Sequence, residues 1–262
     1  MDKFKTVSKY IEINFIQMQT GLNTFKKFGL GFIVSLFLVI INPLNGLSQD
    51  EGWSSKTYKT GQFKGLLLEG AFGVQLLQGD EPGLEIRVSD PKAFEYLTIT
   101  NERGLLHLHV DRKPFDLSKI TLFVTIDELE YLQIFGSIQL ETRGYLEFDD
   151  LDLLLEGGAK TDISLKANKI NLENKGGVLC KLSGVTENFD VRLAGAGHIQ
   201  AEELKAREVN FRIEGIGTAK VHATNSLHVV IRGAGKIKYK GNPQVTKDIE
   251  GLGSVVQEQP AQ

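Results

Sequence analysis

The sequence predicts an all-β protein: a parallel β-helix-like solenoid of ~20-residue rungs, preceded by a β-rich N-terminal section. The first observation is a Gly-x-Gly phrase that returns through the second half of the chain. Its first glycine falls at positions 136, 157, 176, 195, 215, 233 and 251. Such steady spacing is typical of stacked repeats. The second observation is that apolar and polar residues alternate around every copy, as in strands with one buried face.

The repeats can be aligned column by column. Three columns, lying six, four and two residues before the first glycine, are almost entirely apolar, and so is the column four residues after it. A helix would need apolar spacings of three and four, which these columns lack. The column four residues before the glycine, for example, contains Leu153, Leu172, Val191, Phe211, Val229 and Lys247.

The glycines themselves are interpreted as structural residues. Apolar alternation runs through each phrase without changing phase, so we expect a bend or bulge at a corner of the coil, not a hairpin. A residue without Cβ also lets stacked coils approach closely. We assign no catalytic, cofactor-binding or metal-binding residue. The assigned repeat glycines are Gly70, Gly73, Gly136, Gly157, Gly158, Gly176, Gly177, Gly195, Gly197, Gly215, Gly217, Gly233, Gly235, Gly251 and Gly253.

Residues 1–48 are expected to be a signal peptide. Lys26 and Lys27 precede an uncharged apolar stretch over 28–41. That stretch has the length of a signal h-region and is short for a membrane span of about 20 residues. An uncleaved anchor is the alternative. Export would place the protein in the periplasm, on the outer surface or outside the cell.

The remaining chain is divided by its patterns. We expect a polar lead-in (49–62), an N-terminal β section (63–128), the solenoid (129–256) and a polar tail (257–262). Within the N-terminal section, strands are predicted over 84–88, 97–99, 105–110 and 120–126. Segments 79–83 and 101–104 have the composition of hairpin turns.

Charge and cysteine content limit the partners and the cofactors. The full chain has a net charge of −3, and residues 1–48 contain five basic and two acidic residues, so the rest carries −6. That balance disfavours nucleic acid and anionic membranes as partners. A single cysteine forms no internal disulfide, and Cys180 falls in an inward column, where it is expected to act as a small hydrophobic residue.

Several side-chain groups are candidate sites. His107 and His109 share one face of a predicted strand and could ligate a metal. No third ligand is apparent nearby in the sequence, although Asp111 lies on the same strand face. A solvated strand face is the favoured interpretation. The glycine phrases are followed by strand and not helix, which argues against a nucleotide site.

Acidic and basic groups raise the possibility of an enzyme. Asp149, Asp150 and Asp152 would lie in a turn between rungs, where they could bind calcium weakly. Arg192 and Arg212 occupy equivalent outward positions on neighbouring rungs. A basic residue beside calcium ligands is the arrangement of β-helix polysaccharide lyases, but no convergent set of acid, base and metal ligands is visible.

The repeat phrases resemble those of a bacterial secreted family, the putative auto-transporter adhesin, head GIN domain family. The resemblance covers about 63–256 and rests on three features. They are an early Gly-x-x-Gly-Val-x-Leu phrase at 70–76, the serial Gly-x-Gly strands, and the closing segments 238–243 and 249–253. The family usually carries Gly-Ser-Gly. This chain has Ala, Ile or Leu between the glycines and replaces the second glycine with Ala159 and Val178, so no serine row is offered as a site.

The resemblance implies a parallel β-helix-like fold, Bacteroidetes-type bacteria and adhesion. The polar tail after Gly253 is too short for a translocating membrane barrel. The favoured function is a secreted, non-enzymatic envelope or surface protein, an adhesin-like module that binds glycan or a surface protein. The alternatives are a β-helix carbohydrate-active enzyme and a purely structural envelope protein.

Overall fold

Strands make up 78 % of the computed structural model, which describes residues 52–111 and 118–258. The predicted signal peptide lies outside these residues. The model confirms the all-β class and a parallel β-solenoid of about 7 turns. No helix in the described ranges is long and apolar enough to cross a membrane. The elements are β1 (Ser54–Tyr58), β2 (Gly65–Gln78), β3 (Gly83–Val88), a 3-10 turn (Pro91–Tyr96), β4 (Leu97–Glu102), β5 (Leu105–Val110), β6 (Ile120–Ile126), β7 (Tyr131–Thr142), β8 (Leu146–Gly157), β9 (Lys160–Asn174), β10 (Gly177–Leu193), β11 (Ala196–Ile213), β12 (Ile216–Lys240) and β13 (Gln244–Gln257).

The solenoid stacks equivalent residues of successive rungs. Strands β7 to β13 pair in parallel, and the predicted columns are the observed register: Phe189 lies beside Val209, and Leu227 beside Val245. Inward columns are buried through β12, with Phe189 and Phe211 among the largest fully buried side chains. Because one rung cannot cover its own apolar face, each rung depends on its neighbours for burial.

Glycines at equivalent positions form a column along the solenoid, which we call the glycine ladder. At every level above the first, a Cβ added to the ladder glycine would lie within 3.0 Å of backbone atoms of the glycine below. Side chains are thus excluded by the backbone of the neighbouring rung. The ladder consists of Gly70, Gly136, Gly157, Gly176, Gly195, Gly215, Gly233 and Gly251.

The second glycine of each phrase has a different environment. In the first rungs this inward position holds a buried side chain, such as Phe72, Ile138 or Val178. From Gly197 onwards it is glycine, and a Cβ there would meet side chains such as Leu193 or, at Gly235, Ile213. In the first rungs, the side chain at the second position of the phrase fills the interior. Where that position is glycine, side chains such as Leu193 and Ile213 occupy the space instead. This exchange explains why the sequence tolerates Ala159 and Val178 in place of the second glycine.

The N-terminal section is built onto the first rung. β2 pairs in parallel with β7, with Gly70 opposite Gly136, so it is itself a rung of the solenoid. On its other side, β5 pairs with the first half of β2, and β6 pairs with the second half. The four strands predicted between positions 84 and 126 are present as β3 to β6.

One of the two predicted hairpins forms and the other does not. β4 and β5 are antiparallel around Arg103 and Gly104, whose positive φ values of 52° and 79° suit a tight two-residue turn. The hairpin prediction at 79–83 is wrong, because β3 pairs with β1 and β6 and not with β2. β6 occupies the edge of β2, so the loop carries the chain one strand further across the sheet.

Cys180 lies in the solenoid core. Its side chain is fully buried, and burial raises the pKa of the thiol to about 12. The protonated thiol packs among apolar side chains, as its inward column predicts. A thiol with this pKa is not a nucleophile at neutral pH.

Candidate functional site

A shallow groove runs along the outer surface of the last rungs, and we call it the glycine-floored groove. Its volume is about 770 Å³. The floor is glycine backbone, because the outer corner of each rung carries the Gly-x-Gly phrase. Residues between the glycines alternate in size along the groove. The lining residues are Ala196, Gly197, Ile216, Gly217, Thr218, Ala234, Gly235, Lys236, Leu252, Gly253 and Ser254.

Large apolar side chains project from this groove into solvent. Leu252 is 83 % exposed and Ile216 is 69 % exposed. On the other side, Thr218, Lys236 and Ser254 supply polar atoms. Exposed apolar side chains gathered in one place mark sites of interaction more often than singly scattered ones do. The groove is thus an apolar strip with one polar border.

The groove adjoins an open edge of the sheet. β13 ends the strand order and, within the described part of the chain, pairs with β12 alone. Its inward residues Val245, Ile249 and Val255 are only partly buried. An unpaired strand edge presents backbone N–H and C=O groups that another strand can bind. The groove and this edge together form one incompletely covered surface at the end of the solenoid.

The two predicted stacked arginines are neutralised by glutamates. Arg192 and Arg212 are in register on β10 and β11. Arg192 donates to Glu214 Oε2 at 2.7 Å through Nη2, and Arg212 donates to Glu214 Oε1 at 2.5 Å through Nε. Arg192 also lies 3.7 Å from Glu173. Because their charges are already paired, the arginines are poor receptors for an acidic polysaccharide.

Arg232 is paired with carboxylates of β13. It lies 3.2 Å from Glu250 and 2.6 Å from Asp248. Glu214 turns toward Arg192 of the preceding rung and toward Arg212, which lies two residues before it on its own rung.

We expect Glu214→Gln to destabilise the protein in a pH-dependent way. Hydrogen bonds from Arg192 and then Arg212 lower the pKa of the Glu214 carboxyl. The stabilisation is therefore complete above the unfolded pKa of about 4.3 and is lost as pH falls through the folded pKa. For these partly exposed groups it amounts to about 0.5–1 kcal/mol at pH 7. Urea unfolding at pH 7 and about pH 3 measures it.

The control for this variant is Glu81→Gln, which removes the same charge from an exposed turn. It should leave the free energy of unfolding unchanged at pH 7. If Glu214→Gln costs as much at acid pH as at pH 7, its effect is not electrostatic and the assigned network is wrong.

The acidic run does not form a calcium site. Asp149, Asp150 and Asp152 lie within β8 and not in a turn, because the buried alternation continues through Leu151 and Leu153. Asparagines of the next rung contact two of them: Asn168 Nδ2 lies 3.3 Å from Asp149, and Asn171 Nδ2 lies 2.5 Å from Asp152. Among the described residues, these three carboxylates are not close enough to one another to hold a metal ion together.

Two histidines meet a glutamate on the N-terminal section. His107 and His109 project from the outward face of β5, and Glu69 of β2 lies directly opposite His109 in the parallel register. His107 Nε2 is 3.2 Å and His109 Nδ1 is 3.3 Å from Glu69 Oε2. Asp111, the third residue considered from sequence, is not in this group. Among the described residues, these three form the one cluster of histidines and acidic residues close enough to hold a metal ion.

The fold and its surfaces define a class: a parallel β-solenoid whose distinctive surface is the groove over the second glycines of its last Gly-x-Gly phrases. Residues 62–243 match the family model described as "Putative auto-transporter adhesin, head GIN domain". The chain belongs to this family.

Solved structures from Bacteroides and Parabacteroides share the fold. The crystal structure of a putative adhesin from Bacteroides fragilis is 24 % identical, with a TM-score of 0.72, over 81 % of this chain and 100 % of that chain. A putative adhesin from Parabacteroides distasonis is 21 % identical, with a TM-score of 0.61, over 80 % and 98 %. A putative lipid binding protein from the same species is 23 % identical, with a TM-score of 0.59, over 79 % and 97 %. No curated protein matches the sequence significantly.

Proposed function

We propose that the chain is an exported, non-enzymatic adhesin-type module that binds a protein partner through the glycine-floored groove and the adjoining edge of β13. The observation that carries this proposal is the exposure of Ile216 and Leu252 beside the outer edge of β13, which no described strand covers. Apolar centres with polar borders are typical of protein–protein contacts.

The shape of the groove favours a protein partner over other ligands. Small-molecule sites enclose most of their ligand, whereas this groove is open along the rungs. An extended peptide can add a strand to the open edge of β13 and place alternate side chains beside Leu252 and Ser254, which is the geometry of β-augmentation. The lining residues include no aromatic ring on which a sugar could stack.

The family description and the predicted signal peptide support a role in binding at a cell surface. The family description names adhesion, and the similar crystal structures include adhesins from Bacteroides and Parabacteroides. A signal peptide over 1–48 would deliver such a module to the envelope or beyond. The enzymatic alternative is weakened because Arg192 and Arg212 are paired with Glu214 and the acidic run on β8 does not converge.

Adhesion of protein-coated beads to intact Bacteroides cells tests the proposal. Cells are compared untreated, after protease treatment and after periodate oxidation of their glycans. We expect binding that protease abolishes and periodate leaves intact. The double variant Ile216→Asp and Leu252→Asp should reduce binding at least about tenfold, since two apolar contacts at the centre of an interface are lost.

The matched control is the double variant Val185→Asp and Leu179→Asp. Both residues are exposed apolar side chains of β10, outside the groove, and binding should persist. Periodate-sensitive binding that survives protease would assign a glycan ligand instead. Calcium-dependent release of unsaturated sugars from acidic polysaccharides would establish the enzymatic alternative. Absence of adhesion to all three cell preparations would leave a structural envelope protein.

A further inference from the structure

We propose that Glu69, His107 and His109 form a binding site for a divalent transition metal, with zinc the best fit. The site lies on the outer face of the N-terminal section, on the first rung of the solenoid. It is independent of the groove and of the adhesin-type function proposed above, and the resemblance to the family does not imply it.

The fold brings the three side chains together from two strands. His107 and His109 are two residues apart on β5, so both point to the same face of the strand. β5 pairs in parallel with β2, and this pairing places Glu69 opposite His109. The neighbouring strand β4 holds β5 from the other side, with Thr98 opposite His109. The ligands therefore project from a hydrogen-bonded sheet and not from a loop.

The distances agree with the edges of a zinc coordination tetrahedron. Zinc binds histidine nitrogen at about 2.0–2.1 Å and carboxylate oxygen at about 2.0–2.2 Å, so neighbouring tetrahedral ligands lie about 3.3–3.5 Å apart. Glu69 Oε2 is 3.2 Å from His107 Nε2 and 3.3 Å from His109 Nδ1. All three ligand atoms lie within 4.8 Å of one another.

Hydrogen bonding alone leaves this cluster incomplete. His109 Nδ1 is shielded from solvent and has no hydrogen-bond partner, although it faces Glu69. An unpaired buried nitrogen is costly unless something else satisfies it. Burial lowers the pKa of His107, and Glu69 only partly opposes that effect.

The ligand set selects the metal and leaves a coordination position open. Two imidazoles and one carboxylate suit zinc and its neighbours, whereas calcium and magnesium require more oxygen ligands. The side chains are 39 % (Glu69), 26 % (His107) and 31 % (His109) exposed, so the fourth position faces water. Binding would fasten the β4–β5 hairpin to the first rung through β2.

The test is a zinc titration of the untagged protein after treatment with a chelator, followed by calorimetry and thermal unfolding. We expect one zinc ion per chain and a zinc-dependent rise in Tm, with no such rise in calcium. His109→Ala or Glu69→Gln should weaken zinc binding more than about 100-fold, since loss of outer-shell partners alone costs 10–100-fold. Cobalt substitution should give the visible absorption of a tetrahedral centre.

The control is His228→Ala, which removes an exposed histidine of β12 far from the cluster and should bind zinc like the parent protein. Circular dichroism of each metal-free variant must match the parent, so that a folding defect is not read as lost affinity. The proposal is overturned if the parent protein binds no zinc at micromolar concentrations. It is equally overturned if both ligand variants retain the parent affinity, because the metal then binds elsewhere.

Discussion

Replacing one ladder glycine, Gly176→Ala, should lower the free energy of unfolding by about 3 kcal/mol, the upper end of the usual range for overpacking. The added methyl group would lie within 3.0 Å of Gly157 backbone atoms. Backbone atoms in a hydrogen-bonded ladder cannot rotate away as a side-chain end can. The two rungs must therefore separate, and β9–β10 contacts weaken. Urea unfolding followed by circular dichroism measures the loss.

The adjacent residue provides a matched control. Gly177→Ala adds the same methyl group in the same Gly-Gly phrase, but the nearest atom would be 3.9 Å away. Because alanine also reduces the entropy of the unfolded chain, this variant should be neutral or gain up to about 1 kcal/mol. Equal stabilities of the two variants would show that the ladder glycines are not required for close stacking.

Phe211→Ala should be more damaging, with a loss of about 3–5 kcal/mol. Phe211 is among the largest fully buried side chains and lies between Val191 of the rung below and Val229 of the rung above. Valines on both sides cannot reach into the volume that a phenyl ring vacates, so a cavity remains. The loss should appear in urea unfolding, with faster amide exchange in β10 to β12 than in β2 and β7.

Val185→Ala is the comparison for the aromatic deletion. Val185 is 42 % exposed on the outer face of β10, so truncating it should change stability by no more than about 0.5 kcal/mol. If Phe211→Ala is as mild as this control, the solenoid interior repacks freely. The placement of Phe211 between Val191 and Val229 would then contribute no specific packing energy.

The repeat architecture could be predicted because its signal is local and periodic. Each inward column repeats a residue type every rung, and the parallel register converts that period directly into spatial contact, as with Phe189 and Val209. The early phrase around Gly70 was recognisable for the same reason. The path of β3 could not be predicted in this way. Both β3 and β6 could have paired with the edge of β2, and the local pattern does not show which of them does.

The candidate sites were less accessible from sequence. His107 and His109 could be placed on one strand face by their spacing. Their third partner, Glu69, is 38 residues from His107, and only the parallel pairing of β2 with β5 brings them together. The sequence analysis did not identify the groove, although the pattern indicates it. Ile216 and Leu252 occupy outward positions between glycines, so the alternation of apolar and polar residues predicts that both side chains are exposed.

Because the rungs stack uniformly, the number of rungs sets the distance between the two ends of the solenoid. Each rung adds one strand spacing of about 4.8 Å. The histidine–glutamate cluster lies on the first rung and the groove on the last ones, with the glycine ladder running between them. Inserting or deleting a whole repeat would move the two sites closer or further apart in that fixed increment, and neither site would need to change a residue. A chain with more or fewer repeats would therefore hold the two sites at a different separation, with both sites unchanged.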